Sequence, residues 1–143
     1  MSEKTILLVE DDRDQVTLAM RALRNHGIVE EVDEVVIAED GAEALDYLFG
    51  EGDHAGRDTT KTPEFVLLDV HLPKINGLEV LERLRENERT ELLPVILLSS
   101  REEVAQGYRL GAISYVTKPV NFDRFSEAMQ YVGWYWLNFN ESP

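Results

Sequence analysis

Residues 65–72 read Phe-Val-Leu-Leu-Asp-Val-His-Leu, a run of four apolar residues that ends at an aspartate. Three more runs of the same kind lie elsewhere in the chain, at Ile6–Val9, Val35–Ala38 and Val95–Leu98. Apolar residues are continuous in these runs rather than alternating, which is typical of strands buried on both faces of a parallel sheet. Ile113–Thr117 is a fifth, weaker strand candidate.

Segments with the spacing of amphipathic helices lie between and after these runs. Their apolar positions are Val16, Ala19, Met20 and Leu23; Ala44, Leu45, Leu48 and Phe49; Leu78, Leu81 and Leu84; Val104, Ala105 and Tyr108; and Phe122, Phe125, Met129 and Val132. Asp12 or Asp14 is the predicted cap of the first helix. Strand and helix alternate five times, which predicts an α/β fold, a doubly wound five-stranded parallel sheet with helices on both faces.

The composition indicates one soluble domain. The chain has 143 residues, of which 43% are hydrophobic and 29% charged, as is ordinary for globular proteins. Acidic residues outnumber basic ones by 28 to 14, so we expect neither nucleic acid nor an anionic membrane as a partner. The chain has no cysteine, which excludes a disulfide scaffold and a thiolate metal site. No signal peptide and no apolar stretch of about 20 residues is present, which predicts a cytoplasmic protein.

Polar residues follow four of the five predicted strands, at the edge where ligands bind in sheets of this kind. The acidic residues 10–12 follow the first strand, Asp69 ends the third, Ser99 the fourth, and Lys118 follows the fifth. Carboxylates at close range repel one another, and a hard divalent cation removes that repulsion. Oxygen ligands with retained waters favour Mg²⁺. Together with a lysine and a hydroxyl, such a site indicates phosphoryl transfer, in which a carboxylate oxygen attacks phosphorus.

Competing phosphate and nucleotide sites lack their motifs. No G-x-G-x-x-G follows the first strand, and neither G-x-x-x-x-G-K-[ST] nor G-x-S-x-G occurs in the chain. A phosphatase of the haloacid dehalogenase type needs a second aspartate after the nucleophile, and Asp69-Val70-His71 lacks it. Each polar residue alone is more often a helix cap or a turn residue. Their occurrence at the matching strand ends of one chain favours the functional interpretation.

Four segments resemble the receiver domain of two-component response regulators. They are Ile6–Asp12, Val66–Gly77, Pro94–Ser99 and Gly111–Pro119, and the resemblance covers about residues 4–132. It implies a flavodoxin-like sheet of strand order 2-1-3-4-5 with five helices. It also implies that residues 1–132 are the receiver domain, and that residues 133–143 are an aromatic tail with no effector domain.

The resemblance assigns a phosphoacceptor and a metal site. Asp69 would accept a phosphoryl group from the phosphohistidine of a sensor histidine kinase. Glu10 and Asp11 would bind Mg²⁺, with Asp69 and the backbone carbonyl of His71 completing the protein ligands. Asp12 lies one place beyond the acid pair and is the weaker ligand candidate. The protein would catalyse its own phosphorylation and dephosphorylation without being a conventional enzyme.

The resemblance also implies a conformational switch. Lys118 would pair with the phosphoryl oxygens, Ser99 would turn toward the phosphoryl group, and Tyr115 would rotate inward behind it. The surface formed by helix 4, strand 5 and helix 5 would then signal to a partner. From Ser99 to Lys118 the chain is about three residues shorter than is usual in the family, which predicts a shortened helix 4 or preceding loop. This departure keeps open an alternative, a protein-binding module of the same fold that works without phosphorylation.

The aromatic tail contains Trp134, Tyr135 and Trp136. Such residues either cover the core of their own domain or form a surface for a homodimer or another partner. The tail and the long polar loop Gly50–Pro63 resemble the small regulators that accompany bacterial phytochromes. We predict that this loop is a mobile surface connection. A downstream phosphotransfer protein is a further expected partner.

Overall fold

The computed structural model describes residues 4–25, 33–99, 103–117, 123, 126 and 127. Its five strands are β1 (Thr5–Val9), β2 (Glu34–Ala38), β3 (Phe65–Asp69), β4 (Val95–Ser99) and β5 (Ser114–Thr117). They form one sheet in the order β2-β1-β3-β4-β5, and every neighbouring pair is parallel. The predicted fold class and strand order are confirmed, including the weaker fifth strand.

Helices occupy the predicted places between the strands. They are α1 (Arg13–Asn25), α2 (Gly41–Phe49), α3 (Gly77–Arg85) and α4 (Val104–Arg109), with a 3₁₀ turn at Gly52–His54. Most of the predicted fifth helix lies outside the described residues, although Asp123, Ser126 and Glu127 are helical. Within the part of the chain that the structure describes, no helix has the length and apolar character needed to cross a membrane.

Side-chain caps fix where the first three helices begin. Of the two candidates for α1, Asp12 is the cap, because its Oδ1 accepts hydrogen bonds from the backbone N–H groups of Asp14 (2.9 Å) and Gln15 (3.4 Å). Asp40 caps α2 and accepts from the N–H of Glu43 at 2.7 Å. Asn76 caps α3 through a 2.8 Å hydrogen bond from the N–H of Leu78.

The core lies on both faces of the sheet, which explains the continuous apolar runs. Alternate residues of the three central strands point to opposite faces. One face, covered by α2 and α3, includes Leu7, Val9, Val66, Leu68, Val95 and Leu97. The other, covered by α1, includes Ile6, Leu8, Phe65, Leu67, Ile96 and Leu98. All twelve side chains are at most 3% exposed, so the strand ends that carry the polar residues are held by a packed core.

The residue that α4 buries is not one of the apolar residues predicted for its inner face. Tyr108 is 47% exposed and Ala105 is also exposed, whereas the buried residue of the helix is Gly107. A Cβ at Gly107 would lie 2.3 Å from Cδ1 of Leu97, so the helix approaches the sheet at the glycine itself. The prediction of a buried face through Tyr108 was therefore wrong. The described part of α4 has six residues, and residues 100–102 before it lie outside the described residues, so the predicted shortening of this region stays a prediction.

The loop Gly50–Pro63 has a defined internal structure. The guanidinium of Arg57 donates hydrogen bonds to the backbone carbonyls of Tyr47 (2.5 Å), Leu48 (3.3 Å) and Lys61 (2.9 Å). It also lies 4.1 Å from the centroid of the Tyr47 ring, within the range of a cation–π contact. These contacts attach the loop to the last turn of α2.

Candidate functional site

Two acidic side chains are buried where β1 and β3 end. Val9 pairs with Leu68 across these strands, which places the following residues, Glu10 and Asp69, side by side. Glu10 is 1% exposed and Asp69 is 2% exposed. Asp11 follows Glu10 and is exposed. One carboxylate oxygen from each of the three residues lies within 4.8 Å of the other two.

This group, Glu10, Asp11 and Asp69, is called the acidic cluster below. It fits a hard divalent cation because its side-chain donors are all carboxylate oxygens and because Asp11 leaves the cluster open to water. Oε2 of Glu10 accepts hydrogen bonds from the N–H groups of Asp11 (3.1 Å) and Asp12 (3.4 Å), which orients the buried carboxylate. The carboxylate of Asp12 is not part of this group and caps α1.

Two glycines allow the backbone to pack closely around Asp69. A Cβ at Gly77 would lie 2.1 Å from the carbonyl oxygen of Asp69, and a Cβ at Gly41 would lie 2.1 Å from that of Ile75. Lys74, in the same β3–α3 loop, has φ 65°, and its Nζ lies 3.4 Å from Oδ2 of Asp40. No sequence pattern indicates these supporting roles, because they depend on distances between backbone segments.

The side chain of His71 is not part of the acidic cluster. It is exposed, and its Nε2 lies 3.0 Å from Oε1 of Glu103, just before α4. The contact connects the β3–α3 loop to the start of α4. The metal contact predicted for His71 involves its backbone carbonyl, not its side chain, and stays a prediction. Sequence reasoning missed Glu103, because a pair separated by 32 residues leaves no local pattern.

Ser99 is the last residue of β4 and is fully buried. Among the residues that the structure describes, its Oγ has no hydrogen-bond partner. A buried hydroxyl of this kind is uncommon, and a missing ligand is one explanation for it. Asp69 pairs with Leu98 across β3 and β4, so the hydroxyl lies one residue beyond the level of the phosphoacceptor candidate.

Tyr115 lies on β5, one strand further along the sheet. Its side chain is 39% exposed, and its ring contacts that of Tyr108. This is an outward position, as the resemblance implies for the unphosphorylated state. The other predicted functional residues, Lys118 and the tail residues Trp134, Tyr135 and Trp136, lie outside the described residues.

The fold and the acidic cluster define a doubly wound α/β protein with three neighbouring carboxylates at the carboxyl edge of its sheet. A family model described as the response regulator receiver domain matches residues 6–130. The chain therefore belongs to the family of response regulator receiver domains. Response regulators with this domain are signalling proteins that histidine kinases phosphorylate, and receiver domains bind Mg²⁺ at their acidic site.

Similar proteins match over nearly the whole chain. The probable methanogenesis regulatory protein FilR2 of Methanothrix harundinacea is 37% identical over 96% of this chain and 86% of its own length. Response regulator Rcp1 of Synechocystis is 31% identical over 94% of this chain and 89% of its own. The Mn²⁺-bound structure of Rcp1 superposes with a TM-score of 0.82 at 30% identity, covering 98% of this chain and 99% of that one.

A phosphorylated cyanobacterial phytochrome response regulator, RcpA, gives a TM-score of 0.85 at 32% identity. The match covers 99% of both chains. The predicted resemblance to phytochrome-associated response regulators is thereby confirmed. The Mn²⁺ in Rcp1 and the phosphorylation of RcpA are properties of those two proteins.

Proposed function

We propose that this protein accepts a phosphoryl group on Asp69 from a sensor histidine kinase, in a reaction that depends on Mg²⁺. The observation that carries the proposal is the acidic cluster, in which a strand-end aspartate lies within 4.8 Å of two other carboxylates. The buried, unpartnered Oγ of Ser99 on the next strand supports it, because a phosphoryl oxygen would supply the missing acceptor.

The proposed chemistry is attack by a carboxylate oxygen of Asp69 on phosphorus. The new O–P bond forms as the P–N bond of the kinase phosphohistidine breaks, and the leaving imidazole nitrogen keeps the electron pair and takes up a proton. Glu10, Asp11 and the His71 carbonyl are the proposed metal ligands beside Asp69. Bound there, Mg²⁺ supplies positive charge to the phosphoryl oxygens. Lys118 is proposed to pair with the same oxygens.

The proposed output is a change in the surface formed by α4, β5 and the fifth helix. Ser99 and Tyr115 couple this surface to the phosphoryl group. The similarity to RcpA, a phytochrome response regulator, supports a phytochrome as the sensor. A phosphotransfer protein or another partner is the proposed receiver of the signal. We also propose that the protein forms a homodimer through Trp134, Tyr135 and Trp136. Light scattering tests this, since Trp134→Ala with Trp136→Ala should halve the mass; an unchanged mass contradicts it.

The decisive experiment is intact mass spectrometry after incubation with acetyl phosphate and Mg²⁺. The wild type should gain one phosphoryl group, and Asp69→Asn should gain none. Asp53→Asn is the matched control, because it removes the same charge from an exposed residue of the 3₁₀ turn. It should be phosphorylated like the wild type, and omission of Mg²⁺ should abolish the labelling of both the wild type and Asp53→Asn.

Labelling of Asp69→Asn to the wild-type level would contradict the assignment of the phosphoacceptor. If the wild type gains no mass, beryllofluoride with Mg²⁺ tests the site without the requirement for transfer. Failure to bind beryllofluoride as well would favour the alternative, a protein-binding module that works without phosphorylation.

A further inference from the structure

In its outward position, Tyr115 contacts a second aromatic side chain. Tyr108 of α4 and Tyr115 of β5 meet edge to face, with ring centroids 5.8 Å apart and ring planes at 88°. Aromatic pairs favour this geometry, because the positive edge of one ring faces the negative face of the other. The two side chains are 47% and 39% exposed, so the contact lies at the surface.

The backbone around α4 brings the two rings together. Gly107 packs on the side chain of Leu97, and Leu97 pairs with Tyr115 in the β4–β5 register. The helix therefore approaches the sheet at the level of Tyr115, and the residue after the glycine is placed against the ring. The end of α4 is fixed by a 2.9 Å hydrogen bond from the N–H of Ala112 to the carbonyl of Gly107.

We propose that Tyr108 is a positioning residue for the switch and holds Tyr115 on the exposed side of β5 in the unphosphorylated protein. The effect of this contact on signalling rests on the proposed function. Under that function Tyr115 turns inward, and its contact with Tyr108 must break first. Ser99, one strand away, has a buried hydroxyl with no hydrogen-bond partner among the described residues, so nothing shown there holds the hydroxyl in its present position.

Thermodynamic linkage predicts how removal of the contact changes the affinity for a ligand. A contact made only in the outward state lowers the population of the inward state, and its removal raises the affinity for any ligand that favours the inward state. The usual strength of an aromatic pair corresponds to a factor of roughly two to ten in this equilibrium. Tyr108→Ala should therefore bind beryllofluoride, with Mg²⁺ present, about twofold to tenfold more tightly than the wild type. Tyr108→Phe keeps the ring and should bind like the wild type.

A double-mutant cycle shows whether Tyr108 acts through Tyr115. In a Tyr115→Ala background the partner ring is already absent, so Tyr108→Ala should no longer change the affinity. Bound beryllofluoride can be measured by ¹⁹F NMR in all four proteins. An effect of the same size in both backgrounds, or none in either, would overturn the proposal.

A second measurement needs no phosphoryl analogue. The three-bond couplings of the Tyr115 side chain report its χ1 angle, and they should show one rotamer in the wild type and in Tyr108→Phe. In Tyr108→Ala they should show rotamer averaging, and unchanged couplings would contradict the role of Tyr108. If the wild type fails to bind beryllofluoride, the proposed function fails, but the couplings still decide the role of Tyr108.

Discussion

Charged side chains have different partners at the carboxyl and the amino edge of the sheet. At the carboxyl edge, Glu10 and Asp69 are buried beside each other and beside Asp11, and Oγ of Ser99 lacks a partner among the described residues. At the amino edge, the half-buried guanidinium of Arg85 donates to the carbonyl of Gly111 from Nε (3.2 Å) and Nη2 (2.8 Å). It also donates to the carbonyl of Thr90 at 2.9 Å.

The two edges therefore differ in how their charged groups affect the stability of the domain. Arg85 fixes the end of α3 to the turns that precede β4 and β5, and carbonyl oxygens satisfy its donors. Burial lowers the pKa of Arg85, but an arginine stays charged at neutral pH. The acidic cluster gathers like charges that a folded chain avoids unless a ligand offsets them. The contacts at the amino edge therefore stabilise the domain, whereas the neighbouring like charges at the carboxyl edge lower its stability.

Arg85→Met should give the largest effect, because it removes three hydrogen bonds, two of which are the donors to the carbonyl of Gly111. The carbonyl of Thr90 keeps the N–H of Leu93 at 3.1 Å. We expect the free energy of unfolding to fall by about 2 kcal/mol, measured by urea denaturation. Arg83→Met is the matched control on the same helix. Arg83 is exposed, and its Nη2 lies 3.7 Å from Oε2 of Glu79. It should change the free energy by less than about 0.5 kcal/mol. Equal losses in the two variants would contradict the role given to Arg85.

The sequence predicted the sheet well, because a strand buried on both faces leaves a continuous apolar run. It also predicted the acidic cluster, since residues at the carboxyl ends of neighbouring parallel strands must meet. Asp12 was one of the two caps predicted for α1, because it lies just before a helical segment.

Contacts that depend on how closely two backbone segments approach each other were not predictable from the sequence. Gly107 replaces Tyr108 as the buried residue of α4 because the helix lies against Leu97, a distance that no local pattern encodes. The same holds for the pair of His71 with Glu103. The loop Gly50–Pro63 looked like a polar connection because its anchor, Arg57, bonds to backbone carbonyls, which carry no sequence signature.

Asp11→Asn tests the carboxyl edge and should give a smaller change of opposite sign. It removes one of three neighbouring negative charges, so the protein without Mg²⁺ should gain about 0.5 kcal/mol in free energy of unfolding. The stabilisation that Mg²⁺ gives the wild type should be reduced in this variant. Thermal unfolding in EDTA and in Mg²⁺ measures both effects. Asp53→Asn should show neither, and a loss of stability in EDTA for Asp11→Asn would refute the repulsion argument.

The smallest effect is expected at Asp58 in the loop of the amino edge. Hydrogen bonds from the hydroxyl of Thr60 (2.6 Å) and from its N–H (3.0 Å) hold the pKa of Asp58 below its ordinary value of 3.8. Because the folded pKa is the lower one, this carboxylate stabilises the fold above the unfolded pKa, and that contribution is lost as the pH falls through the folded pKa.

Thr60→Val removes the hydroxyl donor and should bring the pKa of Asp58 closer to 3.8, as measured by NMR titration of its carboxyl carbon. The variant should be slightly less stable than the wild type at neutral pH, and the two should converge once Asp58 is protonated in both. Thr59→Val, at the neighbouring hydroxyl, should leave this titration unchanged. A pKa of Asp58 that does not rise in Thr60→Val would contradict the hydrogen bond from the Thr60 hydroxyl as the main cause of the lowered pKa.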